Sequence, residues 1–426
     1  MNTLNKVVVS VGVALSISFF PQSVQAQQQL PIACPGYTLP KTKLLGQRAG
    51  KKLQEAYDTY LNEELDEKER IKEAIQMLRD IEAKEPYDVA YINRFLGQLL
   101  VSEDGKAKES LSLLQGAAEQ GVLNDKDQAD LLKLVADLSI QEEEYQNAVS
   151  FYQKWMEFTC KEDADVYTRM AKAYTELKQF DNVVSAADKA IANYEEPNKN
   201  PYALKINAHH EQKDYVNAVK VAEVLVELFP TEKTWWSQLG FFYMLTEDYS
   251  KALSTFSLAY KQGYLTKRSE YKALVQLYAS SDNPFKSAQL QEKYMDSGML
   301  ETDPDDYASL ANTLQLAREY SDAAKYYGQA ARLSNDAEYY RKQGVLLLTA
   351  EDYKGAITAL NKALEVGVES EGKVHFSLME ANFYTGNFRQ ANVHAQEAKK
   401  DSSLRRNANA WIPYIKQKAD NRGINI

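Results

Sequence analysis

One small residue returns about every 35 positions along this chain. It stands at positions 74, 110, 148, 183, 218, 252, 288, 323, 356 and 391, as alanine in eight cases, Ser110 and Val183 in the others. The gaps run from 33 to 38 residues. Ten such returns do not arise by chance. A fixed period of 20–50 residues marks an array of small structural units, each of which must cover its neighbour's apolar face. That excludes most folds before any single residue is considered. With 18 Gly and 11 Pro in 426 residues, turn formers are too scarce for an all-β array. Long helices joined by short loops fit better.

The clearest unit contains Trp236, Leu239, Gly240, Tyr243, Tyr249, Ala252, Phe256 and Ala259. Counting Trp236 as position 4 puts these at positions 4, 7, 8, 11, 17, 20, 24 and 27. This resembles the 34-residue tetratricopeptide helix–turn–helix. The same frame fits Ala311 and Ala323, then Gly344 and Ala356, then Ala391, and weaker copies lie upstream from Leu132. The units at 74, 110 and 288 are degenerate. Small residues at positions 8, 20 and 27 mark close approaches, and large ones at 4, 7, 11, 17 and 24 fill the spaces between. The expected fold is all-α: a tetratricopeptide solenoid, a right-handed superhelix of antiparallel helix pairs. Ten repeats run over 44–402 as one continuous array. Trp411, Ile412, Tyr414 and Ile415 predict a closing helix within 403–426.

The first residues read as a secretory leader. Lys6 precedes an apolar run from Val7 to Phe20, and Val24-Gln25-Ala26 offers a cleavage site after Ala26. The run is too short to span a bilayer. Residues 27–43 carry Pro31, Pro35 and Pro40 and read as extended. The chain is expected to be secreted. The formal charge of −10 becomes −11 when the leader and its one Lys are removed. An acidic chain without a basic cluster argues against nucleic acid and anionic lipid as partners. Cys34 and Cys160 could pair in an oxidising compartment. Two separate thiols are the expectation, because a solenoid holds sequence-distant residues apart and a disulfide needs Cα atoms within about 7 Å.

Catalytic signatures fail at named residues. His210-Glu211 opens an H-E-x-x-H zinc motif, but Asp214 stands at its fifth position. His209, His375 and His394 show no metal-ligand spacing. Ser269-Glu270-Tyr271-Lys272 has the Ser-x-x-Lys form within a repeat helix. There is no nucleophile elbow, phosphate loop or dinucleotide fingerprint. The expectation is no catalytic residue, no metal and no cofactor. Most of the 28 Tyr and 4 Trp fall on repeat packing positions, which leaves few for a sugar-binding surface.

The tetratricopeptide resemblance implies that the first helix of each pair lines a concave groove for an extended peptide or a helix. Mapped onto this chain, that face shows Arg94, Lys133, Lys172, Asn207, His210, Phe241, Met244, Lys272, Asn312 and Arg341, with Phe376 and Phe383 beyond. Lys172 and Asn207 resemble part of a carboxylate clamp whose remaining members are missing. Ala33-Cys34-Pro35-Gly36-Tyr37, Leu45-Gly46-Gln47-Arg48, Gly50-Lys51-Lys52-Leu53 and the stretch Ala90–Gly97 carry a narrower resemblance. They are similar to periplasmic repeat proteins that accompany TonB–ExbB–ExbD systems in gammaproteobacteria. That likeness implies a scaffold assisting TonB-dependent uptake, such as that of iron–siderophore complexes. An adaptor for outer-membrane protein or exopolysaccharide assembly is the alternative reading, and a hydrolase with an unrecognised site the next.

Overall fold

The computed structural model describes residues 32–35, 43–281, 283–300 and 302–426. The leader expected over 1–26, its cleavage site, and most of the segment 27–43 lie outside the described residues. The described residues form twenty-one helices and no strand, and the fold is the all-α tetratricopeptide-type array. No helix among them is long and apolar enough to cross a membrane. They gather into two compact units, one ending at Lys178 and one running from Gln179 to Ile426.

The first unit holds α1 (Gln47–Tyr60), α2 (Glu67–Arg79), α3 (Pro86–Leu100), α4 (Ala107–Glu119), α5 (Asp125–Gln141), α6 (Tyr145–Thr159) and α7 (Ala164–Glu176). The second begins with α8 (Phe180–Asn193), α9 (Lys199–Glu211), α10 (Tyr215–Leu228), α11 (Lys233–Leu245), α12 (Tyr249–Lys261), α13 (Arg268–Ser280) and α14 (Pro284–Asp296). It continues with α15 (Pro304–Leu316), α16 (Tyr320–Ser334), α17 (Ala337–Thr349), α18 (Tyr353–Val366), α19 (Glu371–Tyr384), α20 (Phe388–Ala398) and α21 (Arg405–Asp420).

All ten recurring small residues lie on even-numbered helices, α2 to α20, and all are at most 1% exposed. These are buried contact points filled by small side chains. Glycine goes further at position 8. A Cβ on Gly240 would stand 2.6 Å from the Phe256 ring, and one on Gly344 would stand 2.5 Å from Leu360 Cγ. Both partners occupy position 24, so each contact locks the two helices of one repeat together. Leu239, Tyr243, Ala311, Ala323, Ala356 and Ala391 are buried. Trp236 is half-buried, and its indole N–H donates to the Pro230 carbonyl at 2.8 Å.

The turn inside eight repeats has one recurring geometry. Residues at position 15 there have positive φ: Gly105, Glu143, Lys178, Lys213, Glu247, Arg318, Glu351 and Gly386. At six of these turns the next residue's N–H returns to a carbonyl five residues back, as in Asp248 to Tyr243 at 2.9 Å and Asp352 to Leu347 at 2.9 Å. This closes the first helix with a left-handed residue and satisfies its last carbonyls. The same aspartates then cap the second helix, Asp248 accepting from the Lys251 N–H and Asp352 from the Gly355 N–H. At the C-terminus, α21 packs on α20. Ala408, Ile415 and Ala419 are buried, while Trp411 and Ile412 are half-buried against the same cluster.

One expectation is overturned. Cys34 and Cys160 form a disulfide, with Cα atoms 5.2 Å apart. The Cys34 N–H also donates to the Phe158 carbonyl at 2.8 Å, and Ala33 is buried. Cys160 ends α6 in the left-handed conformation. Cys34 lies ahead of the repeats, so the separation that a solenoid imposes on its own members does not bind it. The thirteen residue steps from Cys34 to Gln47 can span up to about 45 Å when extended, enough to reach back to the third helix pair.

Candidate protein-binding face

The odd-numbered helices carry the residues assigned to the groove. In the second unit α17 and α19 touch directly, past the intervening α18, so these first helices share a face. The assigned residues differ in condition between the two units.

Those of the first unit are mostly engaged. Arg94 on α3 is half-buried and pairs with Asp127 on α5 at 2.5 Å. Lys133 on α5 lies 5.2 Å from the Trp155 ring centre and 3.8 Å from the Asp163 carboxylate before α7. Both therefore join one repeat to the next. Lys172 on α7 is exposed. A residue outside the mapping is more deeply committed: Arg169 on α7 reaches Asp137 on α5 at 2.5 Å, and the Tyr152 hydroxyl donates to the same carboxylate.

In the second unit, Asn207 and His210 on α9 are exposed. The His210 ring lies 6.0 Å from Tyr215 and 6.1 Å from Phe242. Phe241 on α11 is half-buried, edge-on to Phe256 at 5.1 Å, and Met244 is half-buried beside the same core. Lys272 on α13 is half-buried. Asn312 on α15 is exposed and accepts from the Tyr327 hydroxyl. Arg341 on α17 donates from Nε to Glu338 at 2.8 Å. The structure thus brings His210 against the aromatic wall of the next repeat. It does not gather the basic residues into one patch.

Two features escape a sequence reading. The first is a recurring tyrosine–carboxylate hydrogen bond. Tyr167 donates to Glu162, Tyr243 to Glu223, Tyr326 to Glu292 and Tyr339 to Asp305. Burial, and then the hydrogen bond to a carboxylate, push the Tyr167 and Tyr339 hydroxyls up to about 12. The sequence marks Tyr167 and Tyr243 as packing positions but not Tyr326 and Tyr339, and the carboxylates stand 5, 20, 34 and 34 residues away. The second is a histidine pair. His375 on α19 and His394 on α20 face each other with Nδ1 atoms 3.0 Å apart. Nineteen residues separate them in sequence, and only the antiparallel hairpin unites them. Burial lowers both pKa values, and the His375 ring beside His394 helps bring the latter to about 4.

Comparison with protein-family models gives no match, and comparison with curated proteins gives none. Among solved structures the chain is similar to YrrB, described as a TPR protein with an unusual peptide-binding site. There the identity is 18% over 48% of this chain and 99% of that one, with a TM-score of 0.35. It is similar to a tetratricopeptide repeat protein from Parabacteroides merdae at 14% identity over 79% of this chain and 99% of that one, TM-score 0.34. It is also similar to the TPR2AB-domain:pHSP90 complex of yeast Sti1, at 15% identity over 60% of this chain and 98% of that one, TM-score 0.32. These scores are too low to carry an argument about what the chain binds. The fold class rests on the helix pattern described above.

Proposed function

We propose that this protein is a non-catalytic protein-binding scaffold, exported to the periplasm, where it assists a TonB-dependent uptake system. The observation that carries the binding reading is the first-helix face of the second unit. The first helices of that unit carry exposed Asn207, His210 and Asn312 together with half-buried Phe241 and Met244. Apolar ground with scattered hydrogen-bonding groups, held on helices, suits an extended peptide or a helix laid across it. Export is supported by the leader pattern and by the Cys34–Cys160 disulfide, since disulfides persist in oxidising compartments. The TonB association is supported by the family likeness of the segments from Ala33 to Tyr57 and from Ala90 to Gly97.

A photo-crosslinking residue at His210 or Met244 tests the binding face, with one at Val216 as control, because Val216 is 61% exposed on a second helix. Adducts with a periplasmic protein are expected from the first two sites. Equal adducts from all three, or none, would overturn the assignment of the face. The uptake reading is tested apart from it. A strain lacking the protein is expected to grow poorly under iron limitation. Normal growth on every TonB-dependent substrate would remove that reading and leave the scaffold reading to the crosslinks.

A further inference from the structure

Glu380 on α19 carries a half-buried carboxylate. Among the described residues no hydrogen bond or ion pair reaches it, and burial alone pushes its pKa above the ordinary carboxylate value. Two acids on the preceding first helices are satisfied. On α15 Asp305 accepts from the Tyr339 hydroxyl at 2.9 Å, and on α17 Glu338 holds Arg341 at 2.8 Å.

With Ala391 at position 20, Glu380 stands at position 9 of its repeat, Phe376 at 5 and Phe383 at 12. Residues four before and three after share one helical stripe, so both rings flank the carboxylate on the face assigned to the groove. Both are half-buried. Phe383 is packed in place by Trp411 and Tyr414 of α21, with ring centres 5.2 and 5.3 Å away. Helix α17 touches α19 and carries half-buried Val345 and Leu348 at its own positions 9 and 12. Lys373, at position 2 of the α19 stripe, acts electrostatically on Glu338 and Asp401 instead.

We propose that Glu380 anchors a lysine or arginine side chain of a bound protein segment, with apolar residues of that segment on either side of the cation. This rests on the scaffold reading and gives the partner's chemistry on that face. An unpaired carboxylate withdrawn from water costs stability, and an arriving cation compensates it. Charge therefore selects the occupant. An acidic segment would add repulsion, and a neutral one would leave the carboxylate as it is. The flanking rings suit the same occupant, since aromatic faces attract cations and pack on the aliphatic stem of Lys or Arg. Val345 and Leu348 select apolar neighbours. A charge held where it weakens the fold points to binding rather than to folding.

Four fluorescein-labelled peptides test this, each Gly-Ser-Leu-X-Leu-Ser-Gly amide with Lys, Arg, Gln or Glu at X. Their fluorescence anisotropy is followed as the full-length protein is added. The Lys and Arg peptides are expected to bind roughly tenfold more tightly than the Gln peptide, and the Glu peptide more weakly than that. Glu380→Gln should remove this order. Glu369→Gln, at an exposed acid before α19, should keep it. Equal affinity for all four peptides, binding of none, or an order that survives Glu380→Gln overturns the inference. Glu380→Gln should also raise the melting temperature, because a dehydrated charge is removed. A lower or unchanged one would show that the carboxylate is already compensated in the free protein, and overturns the inference as well. Crosslinks from His210 and Met244 judge the scaffold reading separately, whichever way the peptides fall.

Discussion

Gly240 touches the Phe256 ring so closely that a Cβ would fall 2.6 Å from it. Gly240→Ala should therefore cost about 1–3 kcal/mol through overpacking, read as a lowered urea midpoint. Ala252→Leu, at a fully buried contact on α12, should cost a similar amount. A midpoint equal to the parent's would place the repeat frame wrongly there. Such positions are legible in the sequence because their constraint is local: in the repeats of Gly240 and Gly344, position 8 meets position 24. The tyrosine hydroxyls are not legible, since each carboxylate comes from wherever the fold supplies it. They make a pH prediction. Tyr167 and Tyr339 ionise near 10 when unfolded and at about 12 in the folded protein. Their contribution is complete below pH 10 and is lost as pH rises through about 12. Stability measured by urea should fall between pH 10 and pH 12, and a flat profile would refute these hydrogen bonds.

The turn at position 15 shows how an element is specified imperfectly. Gly105 and Gly386 announce it, because glycine takes positive φ freely. At the other turns Glu, Lys or Arg is driven into the same conformation by the helices on either side, at a cost of about 1 kcal/mol each. Glu247→Gly and Glu351→Gly should thus stabilise the fold by roughly 0.5–1 kcal/mol, after allowing for the added freedom of the unfolded chain. A loss of stability in both would mean that the turn is not strained. Asp248→Ala should cost about 1 kcal/mol, because α12 loses its N-terminal acceptor. Helix existence and pairing were readable from the period. The left-handed residue was readable only where glycine happened to stand.

At the scale of the whole molecule, the disulfide matters most. It joins residues 126 apart, closing a loop around α1 to α6, and reduces the freedom of the unfolded chain. Cys34→Ser with Cys160→Ser should lower the stability of the first unit by roughly 2–5 kcal/mol. Hydrogen exchange over residues 47–159 should quicken, and unchanged protection there would show that the link contributes nothing. The sequence by itself determined the helix class and the small residues at the helix contacts. Those properties come from interactions within one repeat or between adjacent ones, so a 35-residue period records them directly. Only the tertiary structure decided that Cys34 returns to Cys160, that His375 meets His394, and that Arg94 and Lys133 are held by carboxylates of the following repeat. Each of these depends on where separate segments meet in space, and no spacing along the chain encodes that meeting.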